Sequence, residues 1–577
     1  MSGMESSAVK NSALGQRLTN WLPGLRLFVA YDRACLPGDL TAGIVVALVL
    51  IPSAIAYSDL AKCPPVAGLY AALGGMVVFA LFTSSRQVIV GPDAAVAILV
   101  GAAVGPLAGS DPGQAVALST WLALLAAGIL LLAAALKLGA VAEFLSSPVM
   151  LGFMNCAAVV IIGSQIGKLF GIGLHEENTL QRLVEWTTRL GETRWLTLTL
   201  GAGAIALLAG IRYGAPRVPG TIVVFALALV VGRLVDFPSM DVAVIGVVDT
   251  NLPSPVPPEL SLADIGRLLT AALGLALLIF PEGILLGRAM AARHDHVLEP
   301  DRELLALGMA NLAAGLFRSF AVGASQSRTL LNSTTGGRTQ AVSLIAAAVL
   351  VAFIYFLASW IATLPAVAIA AILIFTGFTL IDHHAMRRLH QQHAFSAWVA
   401  LTTSLGVIVF GVLPGILVGI VLSLLKVLGQ VVRPHDALLG KAPGTNDMHD
   451  LGDDESARTI PGLVVYRFYG PLVFANVRFF IERLEYFIAR EAQPVRHVIL
   501  DARAITDIDV TAAEQLQSYF QQLRQRGITV AVAKAQLPLR EAARHLGLHD
   551  AISEGTYFQK LSDAVSAFER SVKPEGT

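Results

Sequence analysis

The chain has 577 residues, of which 55% are hydrophobic and only 14% are charged. Soluble globular proteins carry about 25% charged residues, so this composition excludes an ordinary soluble enzyme or binding module. The net charge is zero, which provides no basic field for a nucleic acid. Apolar runs long enough to cross a bilayer recur between residues 40 and 432, and they predict an α-helical polytopic membrane protein.

The N-terminal region, residues 1–38, is polar and then amphipathic. It lacks the apolar core and cleavage site of a signal peptide, so we expect it to stay in the cytoplasm. A transmembrane domain at 39–433 follows, in which a Pro-rich connection at about 236–262 separates two sets of seven segments. The predicted spans are 40–60, 66–82, 91–107, 114–136, 147–168, 195–212, 218–235, 264–288, 303–317, 325–336, 339–358, 364–381, 395–411 and 413–432.

Lys and Arg residues are more frequent in alternate loops, which indicates that both termini are cytoplasmic. The inside loops hold Arg86, Lys137, Arg212, Arg217, Arg288, Arg293, Arg338, Arg387, Arg388 and Arg433. Because each half has an odd number of spans, the two halves lie in opposite orientations. This 7+7 inverted repeat is typical of secondary transporters.

The third and tenth segments are interrupted. The third reads SSRQVIV up to Gly91 and Pro92 and then becomes helical, and in the tenth SFAVGA leads into the polar run SQSRTLLNSTTGGRTQ. Paired interrupted spans at matching positions indicate a transporter's binding site, and the exposed N–H groups of two half-helices attract an anion. The predicted anion-binding residues are Gly91, Pro92, Ala324, Ser325, Ser327 and Arg328. The alternative is a simple kink and an ordinary polar loop.

Three long stretches resemble the SulP sulfate-permease family, the bacterial relatives of the animal anion exchangers. They read LPGDLTAGIVVALVLIPSAIAYSDLAKCPPVAGLYAAL at 36–73, TSSRQVIVGPDAAVAIL at 83–99 and ELLALGMANLAAGLFRSFAVGASQSRTLLNSTTGGRTQ at 303–340. The resemblance implies fourteen spans arranged as core and gate subdomains, with the anion bound between the third and tenth spans. It also implies a homodimer.

Two carboxylates within the spans are predicted to couple transport to H⁺ or Na⁺. Glu282 lies in the middle of the eighth span, where ionisable residues are functional candidates, and the resemblance implies a coupling role there. The alternative for Glu282 is a structural ion pair with Arg328. Asp93 follows Pro92 in the first turn of the third-span half-helix and departs from the family pattern. It either points away and caps its helix, or it is protonated when the anion binds.

Other polar residues are given structural roles. Asn155, Gln165 and Asn311 lie within spans and are expected to form hydrogen bonds between helices. A histidine cluster lies in a predicted cytoplasmic loop. Its spacing loosely suggests a metal, but no acidic or Cys partner completes a site, so a solvated loop is favoured and no metal is predicted. The cluster consists of His383, His384, His390 and His393.

After residue 433 the composition becomes that of a soluble region. Residues 434–460 are polar and are interpreted as a linker, and residues 461–572 alternate between strand and helix patterns. The segment DARAITDIDVTAAEQL at 501–516 resembles the core of a STAS domain. By this resemblance Thr511 occupies the phosphorylatable position, although Ala512 replaces a glycine. Thr511 is either a helix N-cap or a regulatory phosphorylation site.

Together these features predict secondary active transport of sulfate, bicarbonate or a C4-dicarboxylate across the cytoplasmic membrane, with no enzymatic activity. No cofactor is expected apart from the coupling ion, and the partners are a small anion, the lipid bilayer and a second copy of the chain. Two alternatives remain, which are anion exchange without cation coupling and a non-transporting sensor that signals through the STAS-like domain. A nucleobase or ascorbate carrier is disfavoured by that domain and by the Ser-Arg pair.

Overall fold

The computed structural model divides the chain into two compact units between Ser423 and Leu424. This boundary lies inside the last membrane helix, ten residues before the predicted end of the transmembrane domain. The residues that the structure describes are 22, 24, 31–109, 111–139, 147–176, 179–215, 218–246, 262–410, 412–444, 447–548 and 557–572.

Each of the fourteen predicted spans contains a helix. The first half comprises α1 (Leu36–Leu60), α2 (Pro65–Phe82), α3 (Ala94–Ala108), α4 (Pro112–Ala135), α5 (Ser147–Phe170), α6 (Thr179–Thr188), α7 (Trp195–Gly214) and α8 (Gly220–Leu234). The second half comprises α9 (Leu262–Arg293), α10 (Pro300–Leu316), α11 (Gln326–Thr334), α12 (Ala341–Ile361), α13 (Ala366–Leu380), α14 (His383–Gln392), α15 (Ala394–Phe410) and α16 (Val412–Val432). Among the described residues, 7 helical stretches are long and apolar enough to cross a membrane.

Helices α6 and α14 are additional to the predicted spans. Each is 10 residues long and strongly amphipathic, and each lies between the fifth and sixth spans of its half. The histidine cluster therefore does not lie in a loop, because three of its four members belong to α14. Asp382 begins this helix by accepting a hydrogen bond from the backbone N–H of Ala385 at 2.7 Å. The equivalent places of α6 and α14 support the inverted repeat.

The helices of the first unit form two bundles. The core bundle contains α1–α4 and α9–α12, and the gate bundle contains α5, α7, α8, α13 and α15. Small residues allow the backbones to approach closely. A Cβ on Gly68 of α2 would lie 2.0 Å from the carbonyl oxygen of Ala54, and a Cβ on Gly152 of α5 would lie 2.2 Å from that of Ala400. This division corresponds to the expected core and gate subdomains.

Within its described residues, the second unit contains six strands, β3 (Asp436–Lys441), β4 (Met448–Asp450), β5 (Leu463–Phe468), β6 (His497–Asp501), β7 (Thr529–Ala533) and β8 (Tyr557–Phe558). They form one sheet in the order β4-β3-β5-β6-β7-β8. Its helices are α17 (Val477–Arg490), α18 (Val510–Gln525), α19 (Leu537–His545) and α20 (Leu561–Val572). Strands β5 to β8 are parallel, and β3 pairs antiparallel with β5.

The interpretation of residues 434–460 as a linker is wrong, because β3 and β4 lie within this range. Leu439 of β3 is buried in a hydrophobic cluster with Val465 of β5 and Phe568 of α20. Among the described polar residues of this range, Asp447, His449, Asp453 and Glu455 are exposed. The strand signal of β3 is only six residues long, and its hydrophobic face is completed by residues distant in the chain.

Asp509, not Thr511, is the N-cap of α18. Its Oδ1 accepts a hydrogen bond from the backbone N–H of Ala512, and its Oδ2 accepts one from that of Phe474, both at 2.7 Å. The N-cap interpretation of Thr511 is therefore wrong. Thr511 lies in the first turn of α18 and is exposed to solvent.

Candidate anion-binding site

Two short strands join the interrupted spans. Strand β1 (Val90–Gly91) pairs antiparallel with β2 (Gly323–Ala324), with Val90 opposite Ala324 and Gly91 opposite Gly323. The backbone N–H of Ser325 extends the ladder by donating to the carbonyl oxygen of Ile89 at 3.0 Å. Each strand leads directly into a half-helix, β1 into α3 and β2 into α11, so the pairing places the two helix N-termini at one site in the core bundle.

Polar side chains hold the extended backbone before β1. The Thr329 Oγ1 accepts from the N–H of Ile89 at 3.0 Å, and the Asn332 Nδ2 donates to the carbonyl oxygen of Gln87 at 2.8 Å. The Gln340 Nε2 donates to the carbonyl oxygens of Ser85 and Val88. Buried backbone groups need partners, which explains why the tenth span is polar. The side chains of these residues form hydrogen bonds with the backbone before β1, and the N-termini of α3 and α11 remain directed at the site.

Arg328 connects the two half-helices. Its side chain is 2% exposed, and its Nη2 donates to the carbonyl oxygen of Pro92 at 2.7 Å. Its Nε is buried without a hydrogen-bond partner within the described residues. Ser325 is buried, whereas Ser327 is exposed, and their hydroxyl oxygens lie 3.4 Å apart. A cation, two hydroxyls and the start of α11 therefore share one location.

Asp93 is the N-cap of α3, which begins one residue later than predicted. Its carboxylate accepts from the backbone N–H of Ala95 at 3.2 Å, so Asp93 caps its helix, as one part of the first alternative expected. Its place next to Pro92, whose carbonyl oxygen accepts a hydrogen bond from Arg328, keeps Asp93 beside the site.

Glu282 follows Pro281 in α9 and is 8% exposed. Its Oε2 is buried and has no hydrogen-bond partner in the part of the chain that the structure describes. It interacts electrostatically with Asp93 and Arg328, but across the described residues no direct ion pair joins Glu282 to Arg328. The structure thus lacks the contact that the structural alternative for Glu282 requires.

Tyr57 of α1 is a site residue that the sequence reasoning missed. It is buried at 9% exposure and interacts electrostatically with both Asp93 and Arg328. A tyrosine in an apolar helix is typical of core packing, so no pattern distinguishes it. Only the crossing of α1 beside the two half-helices brings it to the site.

All three polar span residues form hydrogen bonds within the protein, but only Gln165 joins two helices as expected. Asn311 exchanges hydrogen bonds with the backbone of Val322, next to β2, at 2.9 and 3.0 Å. Asn155 accepts from the backbone N–H of Asp382 at 2.9 Å. Gln165 donates to the carboxylate of Asp59 at 3.0 Å and thereby links α5 to α1.

Asp59 and Lys168 form an ion pair between the core and gate bundles. Asp59 lies at the end of α1, and Lys168 and Gln165 lie near the end of α5, so the hydrogen bonds that these two residues donate to the Asp59 carboxylate cross the boundary between the bundles. We call these three residues the latch. Beside them, a cavity of about 460 Å³ follows α3 from Pro106 back to Ile98, one turn from its N-terminus. The latch therefore lies beside a path that runs toward the site.

Residues 36–403 match the sulfate permease family, and residues 456–564 match the STAS domain. The chain belongs to the sulfate permease family. It is 37% identical to a probable sulfate transporter of Mycobacterium tuberculosis, over 95% of this chain and 98% of the relative. It is 29% identical to the chloroplastic sulfate transporter 4.1 of Arabidopsis thaliana, over 91% of this chain and 79% of that protein. This member of the family is an anion transporter of the membrane and not an enzyme.

Two solved structures show the same fold. The murine Solute Carrier 26 family member A9, described in an inward-facing state, has a TM-score of 0.89 at 20% identity, covering 96% of this chain and 95% of that one. The transmembrane domain of the cyanobacterial bicarbonate transporter BicA has a TM-score of 0.60 at 22% identity, covering 67% of this chain and 98% of that domain. The family fold therefore extends to this transporter's membrane unit and STAS unit.

Proposed function

We propose that this protein is a secondary active transporter that moves a small oxyanion or carboxylate together with H⁺ or Na⁺ by alternating access. The observation that carries the proposal is the charge balance of the site. Asp93 and Glu282 place two carboxylates near the single guanidinium of Arg328. If all three groups were ionised, the site would have a net negative charge before any anion arrived.

An anion and two ionised carboxylates repel each other strongly in a buried site, because the local dielectric constant is low. A proton or Na⁺ on one carboxylate removes this repulsion. Anion binding and cation binding then favour each other, and this linkage is the thermodynamic basis of symport. Glu282 suits this role because part of its carboxylate is buried without a hydrogen-bond partner in the described chain.

The anion itself is held by the start of α11 together with Ser325, Ser327 and Arg328, and by the backbone around Gly91 and Pro92. Helix N–H groups bind sulfate, bicarbonate and dicarboxylates alike. Within this group the relatives favour sulfate, as in the sulfate transporters, and bicarbonate, as in the bicarbonate transporter BicA. Ala324 has no polar side chain, so it contributes to the proposed site only through its backbone in β2.

Transport requires the core bundle to move against the gate bundle, since the site lies on core helices. The latch joins these bundles at one end of the path along α3. Both termini of the chain are proposed to lie in the cytoplasm and the chain to be a homodimer in the cytoplasmic membrane. The exposed position of Thr511 leaves it accessible to a kinase.

Flux into proteoliposomes tests the proposal. Purified protein is reconstituted, and labelled sulfate, bicarbonate and succinate are supplied with imposed H⁺ or Na⁺ gradients. Concentrative uptake of at least one anion under one gradient is expected. Anion exchange whose rate does not depend on the H⁺ or the Na⁺ gradient would contradict cation coupling. The absence of flux for every anion would favour the alternative of a non-transporting sensor.

Arg328→Ala tests the anion site. A charge-assisted hydrogen bond contributes about 1.5–3 kcal/mol, so anion affinity should fall roughly ten- to hundredfold. Isothermal titration calorimetry on the purified variant measures this loss, with gel filtration to check that the protein is folded. A folded variant with wild-type affinity would exclude Arg328 from the site.

A further inference from the structure

A groove lies on the gate bundle, away from the anion site. It has a volume of about 640 Å³ and is bounded by α5, α14 and α15. Its walls include Val159 of α5 and Leu401 and Ile408 of α15, and its rim carries His383, Arg387 and His390 of α14. The groove is therefore apolar along the membrane helices and cationic where the amphipathic helix crosses it.

The apolar walls are open rather than packed. Val159 is 38% exposed and Leu401 is 42% exposed, and both lie on helices that cross the bilayer. Such side chains face lipid acyl chains in a membrane. The membrane-helix side of the groove therefore offers exposed apolar side chains to an acyl chain.

The rim has the opposite character. Helix α14 reads HHAMRRLHQQ and contains two arginines and three histidines, without an acidic residue. An amphipathic helix with a basic polar face lies in the membrane interface, at the depth of the phosphate groups. Guanidinium groups bind phosphate with two parallel hydrogen bonds, and imidazole N–H groups are further donors.

We propose that this groove is a binding site for an anionic phospholipid. Its phosphate lies against Arg387 with His383 and His390, and one acyl chain lies between α5 and α15. Basic pockets between membrane helices recognise acidic lipid headgroups by this combination of charge and apolar contact. A second copy of the chain fits less well, because a two-fold contact would bring two cationic rims into the same interface.

The helix itself offers a matched control. Arg387 and Arg388 are adjacent and both exposed, but only Arg387 lines the groove. Arg387→Gln and Arg388→Gln therefore remove the same charge from the same helix. Leu401→Trp leaves the charges unchanged and fills the groove with an indole ring.

The test compares these variants in nanodiscs of phosphatidylcholine with and without phosphatidylglycerol. Native mass spectrometry measures retained phosphatidylglycerol, and thermal unfolding measures the stabilisation that it causes. Retention should fall about tenfold in Arg387→Gln, as expected for loss of a charge-assisted contact, and should also fall in Leu401→Trp. Arg388→Gln should retain lipid and stabilisation like the wild type.

Four results would overturn the proposal. Equal losses in Arg387→Gln and Arg388→Gln would indicate general attraction of the lipid to a basic surface. Unchanged retention in Arg387→Gln would show that the groove does not bind the headgroup. Equal stabilisation by soluble glycerol phosphate would identify a phosphate site instead of a lipid site. A change in oligomeric mass without a change in bound lipid would show that a second copy covers the groove.

Discussion

At the scale of single residues, the environment of Arg328 explains why a buried guanidinium is tolerated. Its Nη2 donates a hydrogen bond to the carbonyl oxygen of Pro92. The carboxylates of Asp93 and Glu282 also interact with it electrostatically. A buried charge without partners is costly, so the partly satisfied Arg328 favours a further acceptor. In the proposed function a bound oxyanion supplies one, so the residue that joins the half-helices would also attract the substrate.

The substitution Glu282→Gln distinguishes a role of Glu282 in cation coupling from a role in holding the structure together. The substitution keeps the shape of the side chain and removes its charge, so the cation no longer binds there. We expect anion exchange to persist while uptake loses its dependence on the H⁺ or Na⁺ gradient. Thermal stability should change little, because in the described structure Glu282 forms no direct ion pair with Arg328 that the substitution would break. Gradient-driven uptake and unfolding temperature are measured on the same sample.

Glu303→Gln is the matched control for that experiment. Glu303 is also a buried carboxylate of the core bundle, at 1% exposure, but it accepts hydrogen bonds from Thr83, Ser84 and Ser85. The Gln amide has one acceptor oxygen where the carboxylate has two, so some of these N–H and O–H donors lose their partner. This loss should lower the free energy of unfolding by about 1–3 kcal/mol. Gradient dependence should remain. If Glu282→Gln behaved like Glu303→Gln in both assays, Glu282 would be structural.

At the scale of helices, the latch lies where α1 of the core bundle meets α5 of the gate bundle. We expect a covalent bond at this position to stop transport. In a background where Cys35, Cys63 and Cys156 are replaced, Asp59→Cys with Lys168→Cys is joined by a short bis-methanethiosulfonate cross-linker, which a reducing agent cleaves. Flux should fall to the background level and return after reduction, because alternating access needs this contact to open.

An ion pair inside the gate bundle provides the control for the latch. The Arg194 Nη1 lies 2.7 Å from the Asp241 Oδ1, and both residues flank gate helices. Cross-linking Arg194→Cys to Asp241→Cys should leave flux unchanged. Full flux with a quantitative Asp59–Lys168 cross-link would show that the two bundles do not separate there.

Strand β3 is expected to be essential for the isolated second unit. Removing it uncovers the edge of β5 and takes away Leu439, whose burial contributes about 2–3 kcal/mol. A fragment of residues 455–577 should therefore melt roughly 10 °C lower than a fragment of residues 434–577, or aggregate. Circular dichroism measures both. Leu439→Ala in the longer fragment should reproduce part of the loss, and identical melting of the two fragments would contradict the assignment of β3 to the core.

At the scale of the whole molecule, the division into two units separates the anion site from the STAS unit. All residues of the site lie before Ser423. Ending the chain after Arg433 keeps α16 complete and removes the sheet. Anion affinity should stay within about twofold, since distant and independent parts contribute additively. Calorimetry on the shortened protein checks this expectation, and a much weaker affinity would show that the STAS unit maintains the site.

The amino-acid sequence by itself determined the spans, the family and the interrupted segments, and it nominated Ser325, Ser327, Arg328 and Glu282 as site residues. These features are local, because apolar runs, helix starts and glycine-proline breaks are properties of neighbouring residues. The tertiary structure alone decided the β1–β2 pairing, the approach of Tyr57, the latch and the place of β3 in the sheet. Each joins residues far apart in the chain, and no local pattern specifies which distant partner satisfies a backbone group or a charge. Short amphipathic helices such as α14 lie between these cases, because their pattern is local but too short to distinguish from a polar loop.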